Sequence, residues 1–229
     1  MIKIVQCWDD GVVDDIRLCE ILRAAGARAS FNLNPGTHGP QRGGPWRYKD
    51  CKDVLRLAKG ELAGTYNGFT IANHSVSHPW ATRIPIEQWK VEVNDGRKQL
   101  QDIFGQKILG FVYPYGDTNP EVAEAVRDAG HIYARSCGNA TPCFPPADPM
   151  FFAPDCHHAA PDFWDRYNKA KSIGSPVFYF WGHSYEMMTD RDWEEFSGKL
   201  DRLNADPDAA WAELPDLFAT NQPGKTREN

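Results

Sequence analysis

The sequence predicts a single-domain α/β barrel, an incomplete or distorted relative of the eightfold β/α barrel. Two observations carry that prediction. Short β-rich runs alternate with amphipathic segments along most of the 229 residues, as expected when parallel strands are joined by crossover helices. Polar clusters also fall just after the predicted strand ends, and in such barrels those ends converge on one rim. With 41% hydrophobic residues the chain is long enough to bury a core of that size.

Seven runs read as strands: Ile2 to Trp8, Arg28 to Leu33, Phe69 to His74, Ile108 to Tyr113, His131 to Cys137, Met150 to Pro154 and Pro176 to Trp181. Helices are expected between them, over Val13 to Ala25, Asp50 to Lys59, Ile86 to Phe104, Pro120 to Ala129 and Pro161 to Ile173. In the first, Ile16, Leu18, Ile21 and Leu22 form an apolar stripe that Gly26 terminates. In the fourth, Asn119 caps, Pro120 occupies the first turn and Gly130 follows the end. Two further helices are expected over Asp190 to Ala219. The barrel then spans residues 1–220, with 221–229 a frayed tail. Stretches rich in Gly and Pro, Pro35 to Pro45 and Asn139 to Pro149, read as loops.

Composition narrows the function classes. The 31 acidic and 25 basic side chains leave a formal charge of -6, which gives no electrostatic reason to expect nucleic acid or an anionic membrane. On charge alone, a neutral or cationic substrate is expected. No run approaches the ~20 apolar residues of a membrane span, and no secretory leader is visible, so a cytoplasmic location is the expectation. The six cysteines are widely scattered and are read as thiols. Oligomeric state is not legible.

The polar clusters are Asp9-Asp10-Gly11, His74-Ser75-Val76-Ser77-His78-Pro79, Tyr113-Pro114-Tyr115-Gly116 and Gly182-His183-Ser184-Tyr185-Glu186. Two histidines four residues apart can turn toward one cation, although surface and core pairs share that spacing. Adjacent carboxylates directly after an apolar strand are costly to bury without a partner charge, and a cation supplies one. A helix N-cap is the plainer use of either aspartate.

Trp8-Asp9-Asp10-Gly11, Asn73 to Pro79, Phe111 to Gly116 and the late His183 together resemble the ordered motifs of the polysaccharide deacetylases, the fourth carbohydrate esterase family, over roughly residues 1–200. The resemblance implies a distorted (β/α)7 barrel, similar to the eightfold barrel. It also implies one divalent metal, zinc with cobalt or nickel as alternatives, held by Asp10, His74 and His78. Asp9 would be the base, the Tyr115 N–H the oxyanion donor and His183 the acid. The implied reaction is metal-dependent removal of acetyl groups from an N-acetylated sugar or short oligosaccharide. Hydrolysis of cyclic amides or ureides, as by allantoinases, and O-acetyl esterase activity are the alternatives on the same fold.

Two family features are missing. Val112 stands where an arginine commonly orients the base, leaving Arg17, Arg28 and Arg83 as candidates for that task. No Asp-x-x-Asp-Trp motif is evident, and Glu186 or the stretch Asp155 to His158 are the candidate replacements. His157 and His158 could line the pocket, tune His183 or bind a second ion, against the plainer reading of an exposed loop pair. His38 and His131 read as structural. Trp80, Tyr113, Trp181 and Glu186 are the candidate substrate contacts.

Overall fold

A computed structural model describes residues 1–138 and 144–218. Its central strand, β1 (Ile2–Asp9), buries every residue except Lys3, the near-continuous burial of a parallel strand covered on both faces. The chain continues through α1 (Asp15–Ala24), β2 (Ser30–Leu33), β3 (Gly43–Tyr48), β4 (Lys52–Arg56), α2 (Leu62–Thr65) and β5 (Thr70–Asn73). Next come α3 (Ile86–Phe104), β6 (Gly110–Val112), α4 (Pro120–Asp128), β7 (Tyr133–Arg135), β8 (Cys156–His157) and α5 (Phe163–Ser172). The described chain closes with β9 (Val177–Gly182), α6 (Asp190–Asn204), β10 (Ala209–Trp211) and α7 (Leu214–Phe218).

The main sheet runs β7-β6-β5-β2-β1-β9-β8, every pair parallel, and curls into a barrel-like wall with helices outside. Strand β1 is long enough to use one edge twice. Its first residues pair with β10 (Ile2 opposite Ala209) and its last with β2 (Asp9 opposite Asn32). Because the strands are parallel, the segments following Asp9, Leu33, Asn73, Val112, Arg135, His157 and Gly182 all emerge on the same rim. The core beneath is strongly aromatic: Trp8 meets Phe196 of α6 edge-on at 5.1 Å, and Phe163 meets Phe180 at 5.3 Å.

Local punctuation behaves as the sequence implies. The Asn119 side chain accepts from the Val122 N–H at 2.9 Å, capping α4 behind Pro120. Helix α3 keeps its expected bounds and ends on Gly105 at φ 65°, a left-handed position that costs glycine no Cβ clash.

Three expectations are corrected. Asp50 to Lys59 is not a helix: β4 pairs antiparallel with β3 as a two-stranded hairpin outside the barrel. Lys49 and Asp50 turn it at φ 48° and 57°, and Leu55 and Leu57 bond to the chain after β1 rather than to a helical turn. Met150 to Pro154 gives only a bridge from Phe152 to Arg135, and β8 forms at Cys156–His157 instead. Pro149 and Pro154 lack the N–H groups a continuous strand requires. Finally, β10 separates the two helices expected after Asp190.

The expected tail at 221–229 and Cys143 lie outside the described residues. None of the five described cysteines forms a disulfide. No helix among the described residues is long and apolar enough to cross a membrane.

Candidate active site

The rim opens onto a pocket of about 490 Å³ whose lining includes Asp9, Asp10, His74, His78, Tyr115 and His183. The four clusters singled out in the sequence therefore meet at one place. Their backbones are unusual. Asp10, Ser75, His78 and Tyr115 all take positive φ (88°, 66°, 62° and 59°), a region that non-glycine residues occupy at a cost and that tends to accompany functional sites.

Asp10, His74 and His78 offer ligand atoms within 4.8 Å of one another. Hydrogen bonding settles the polarity of His74. His74 Nδ1 lies 2.7 Å from the Val112 carbonyl, which can only accept, so Nδ1 carries the proton and Nε2 presents a bare lone pair. That lone pair faces His78 Nε2 at 3.1 Å, and His78 Nε2 lies 3.8 Å from Asp10 Oδ1. Acceptors converging this closely require a proton or a cation between them, and two imidazoles with a carboxylate suit zinc or a later first-row metal. Burial, then proximity to His78, depresses His74 to about 4, which keeps it neutral and able to ligate. Asn34 holds the loop by donating to the His74 carbonyl, and Ser75 Oγ accepts from the His78 N–H at 3.0 Å.

Asp9, the neighbouring carboxylate, is anchored by Arg135. Nη2 lies 2.7 and 2.6 Å from the two carboxylate oxygens, and Asn32 Nδ2 donates to Oδ1 at 2.6 Å. Both members of this pair are almost fully buried. Burial pushes Asp9 up, but the Arg135 charge and hydrogen bonds, together with His74 and His183, outweigh it and hold the carboxyl well below the usual range. The group that holds Asp9 thus comes from β7. Of the arginines the sequence offered, Arg17 pairs with Asp190, Arg28 with Glu213, and Arg83 lies over Trp80. Arg135 is the direct register partner of Val112 across the β6–β7 ladder, so the cation stands on the strand adjacent to that position. No local motif marks it; only the pairing brings it to Asp9.

On the opposite side, His183 Nε2 lies 3.8 Å from Asp10 Oδ2, while its Nδ1 faces Glu186 Oε1 at 3.4 Å. Burial lowers the His183 pKa, but Glu186, Asp9 and Asp10 more than compensate and lift it to about 9. Glu186 also receives the His183 backbone N–H at 3.1 Å, and its Oε2 meets His157 Nε2 at 2.7 Å and His158 Nε2 at 3.3 Å. The exposed-loop reading of His157 and His158 is corrected: His158 is buried, and Gly182 has no room for a Cβ because His158 Cδ2 would lie 2.2 Å from it. These two histidines and Glu186 also have metal-like spacing. The tautomer argues against an ion there. The Ala159 N–H donates to His157 Nδ1 at 3.1 Å, so the ring proton sits on Nε2 and points at Glu186. The cluster is a hydrogen-bonded clasp on the carboxylate.

The remaining predicted contacts divide. The Tyr115 N–H has no backbone or side-chain acceptor among the described residues, which leaves it free to serve a ligand. Tyr113 is buried and donates its hydroxyl to the Met150 carbonyl at 2.9 Å. Trp181 lines the pocket with its ring over Arg135 at 5.0 Å. Trp80 stacks on Tyr115 at 4.1 Å and carries Arg83 at 4.0 Å, so both its faces are covered. Trp46 and Arg56, from the unforeseen hairpin, complete one wall.

Solved structures share this fold. The match to a family 4 carbohydrate esterase from Streptomyces lividans in complex with acetate has a TM-score of 0.56 at 16% identity, covering 88% of this chain and 89% of that one. A deacetylase solved with substrate matches with a TM-score of 0.62 at 14% identity over 96% and 92%. A polysaccharide deacetylase from Bacillus cereus matches with a TM-score of 0.51 at 14% identity; the match spans 64% of this chain but only 44% of that longer one. A search of curated proteins returns no match. The polysaccharide deacetylase family profile matches residues 2–134, more than half of the sequence. With the parallel barrel-like sheet and the ordered motifs on its rim, that match shows that the chain belongs to the polysaccharide deacetylase family.

Proposed function

We propose that this protein removes acetyl groups from an N-acetylated sugar or short oligosaccharide, using one divalent cation, zinc by preference, at Asp10, His74 and His78. The observation that carries the reading is the convergence of those three acceptors beside a second, separately neutralised carboxylate. Bound there, the metal would polarise the acyl oxygen and make a water acidic enough to attack near neutral pH.

The chain's own groups account for the rest. Arg135 keeps Asp9 ionised, so Asp9 is available to take the proton of the attacking water. So acidic a carboxyl is a weak base, which makes prior acidification of the water necessary. The free N–H of Tyr115 stabilises the oxyanion as the carbonyl carbon becomes tetrahedral. Glu186 holds one proton at His183 Nδ1, and because the pKa is lifted to about 9 the imidazolium carries a second at Nε2, on the pocket side. Delivery of that proton to the leaving nitrogen breaks the C–N bond and yields acetate and a free amine.

The test is acetate release from N-acetylglucosamine, its short oligomers and O-acetyl sugars by chelated, zinc-restored and Asp9→Asn protein. Release that requires zinc and collapses in Asp9→Asn supports the reading. Stoichiometric metal without acetate from any sugar rejects it.

A further inference from the structure

The pocket contains one more cation than the proposed reaction uses. Arg56 ends β4 and is fixed beside the Asp10 turn: it bridges to Val12, the next residue's N–H donates to the Gly11 carbonyl at 3.1 Å, and Leu55 receives the Val13 N–H at 2.9 Å. Its side chain is 12% exposed, within the pocket lining. The guanidinium lies over the Trp46 ring at 4.9 Å, and Trp46 packs edge-on against Tyr185 at 5.4 Å. One Nη donates to the Asp10 carbonyl, and both Nη atoms stand 3.4 Å from Asp10 Oδ1, a long contact.

Among the described residues Arg56 has no other carboxylate partner. Arg135 is different, because Asp9 matches its charge with two short hydrogen bonds. Once a divalent cation shares Asp10, that single carboxylate faces the cation and Arg56 together. The pocket is then left with about two uncompensated positive charges, or one after a water there is deprotonated. A largely buried guanidinium with unused donors is best satisfied by a planar anion.

We propose that Arg56 recognises a carboxylate carried by the substrate, so that the preferred N-acetyl sugar is an acidic one. This rests on the deacetylase reading for the bond that is cleaved, and adds the charge of the molecule carrying it. It also replaces the expectation drawn from net charge: the chain is acidic overall, but the field inside the pocket is set by Arg56 and the cation. A purely structural Arg56 would prop the Asp10 carbonyl and leave substrate charge irrelevant.

The probes are N-methanesulfonyl amino sugars, which resist hydrolysis and keep binding separate from turnover. Three are compared: neutral glucosamine, its C6 uronic acid, and its C3 ether bearing a carboxylate arm. Calorimetry on zinc-loaded wild type should show at least one acidic probe bound about tenfold or more tightly than the neutral one. That ratio should fall toward one in Arg56→Gln and be intermediate in Arg56→Lys. Equal binding of all three probes by wild type overturns the proposal, as does a ratio that Arg56→Gln leaves intact. Should Arg56→Gln fail to fold, the wild-type ratio and Arg56→Lys decide. Acetate release from the matching N-acetyl sugars separates the two claims. An acid preference in binding without acetate removes the deacetylase reading alone, and acetate released equally from all three with no binding preference removes this one alone.

Discussion

The two halves of the rim are built differently. Residues 2–134, the part the family profile matches, bring Asp9, Asp10, His74 and His78 to the pocket on short loops after β1 and β5. The remainder brings His183 and the groups that hold it and Asp9: Arg135 against Asp9, and Glu186 with His157 and His158 against His183. The first half holds atoms that would touch metal or substrate, and their angular demands tie each residue type to its motif. The second half also brings His183, the proposed acid, but its other groups supply charge and orientation, which any strand that reaches the right atom can deliver. The cation that holds Asp9 accordingly stands on β7, opposite Val112 of β6.

The sharpest way to break this comparison is Asp9→Asn in the first half. It should cut acetate release by roughly 10²- to 10⁴-fold, the scale of general base catalysis, while zinc stoichiometry stays near one per chain. In the second half, Arg135→Met should leave Asp9 as an uncompensated buried charge and cost about 3–5 kcal/mol in urea unfolding. Arg135→Lys should recover part of that, because it restores the charge but not the placement of Nη2 between the two carboxylate oxygens. Unfolding free energy unchanged in Arg135→Met would show that Asp9 has another partner.

Glu186→Gln removes the acceptor shared by three histidines and should lower kcat by about 10- to 100-fold at unchanged zinc content. Loss of a second equivalent of zinc in that variant would instead identify the clasp as a metal site.

The last comparison is the pH dependence of stability. Burial depresses His131 to about 3, and His38 and His158 to about 4. A histidine kept neutral in the fold binds its proton in the unfolded chain first, so stability is intact above about pH 6.5 and falls as pH drops below it. Each such group costs about 2 kcal/mol by pH 5. Asp15 acts in the opposite direction. Burial lifts it to about 7 despite donors from Ser184, Tyr66 and Val12, so its penalty is relieved as pH falls through 7 toward 4. Urea midpoints at pH 7 and pH 5 should therefore show a steeper acid loss in Asp15→Asn than in wild type.

Sequence alone determined the parallel strand-helix alternation, the bounds of α3, the cap of α4 and the meeting of Asp9, Asp10, His74, His78, Tyr115 and His183 on one rim. Those features are local: periodicity, punctuation and position after a strand end are all encoded within a few residues. Only the tertiary structure decided that Arg135 holds Asp9 across 126 positions, that His157 and His158 turn inward onto Glu186, and that the chain around Arg56 forms a hairpin walling the pocket. Long-range ion pairs and strand pairings leave no periodic trace, because their partners are set by which strands lie side by side and not by their spacing along the chain.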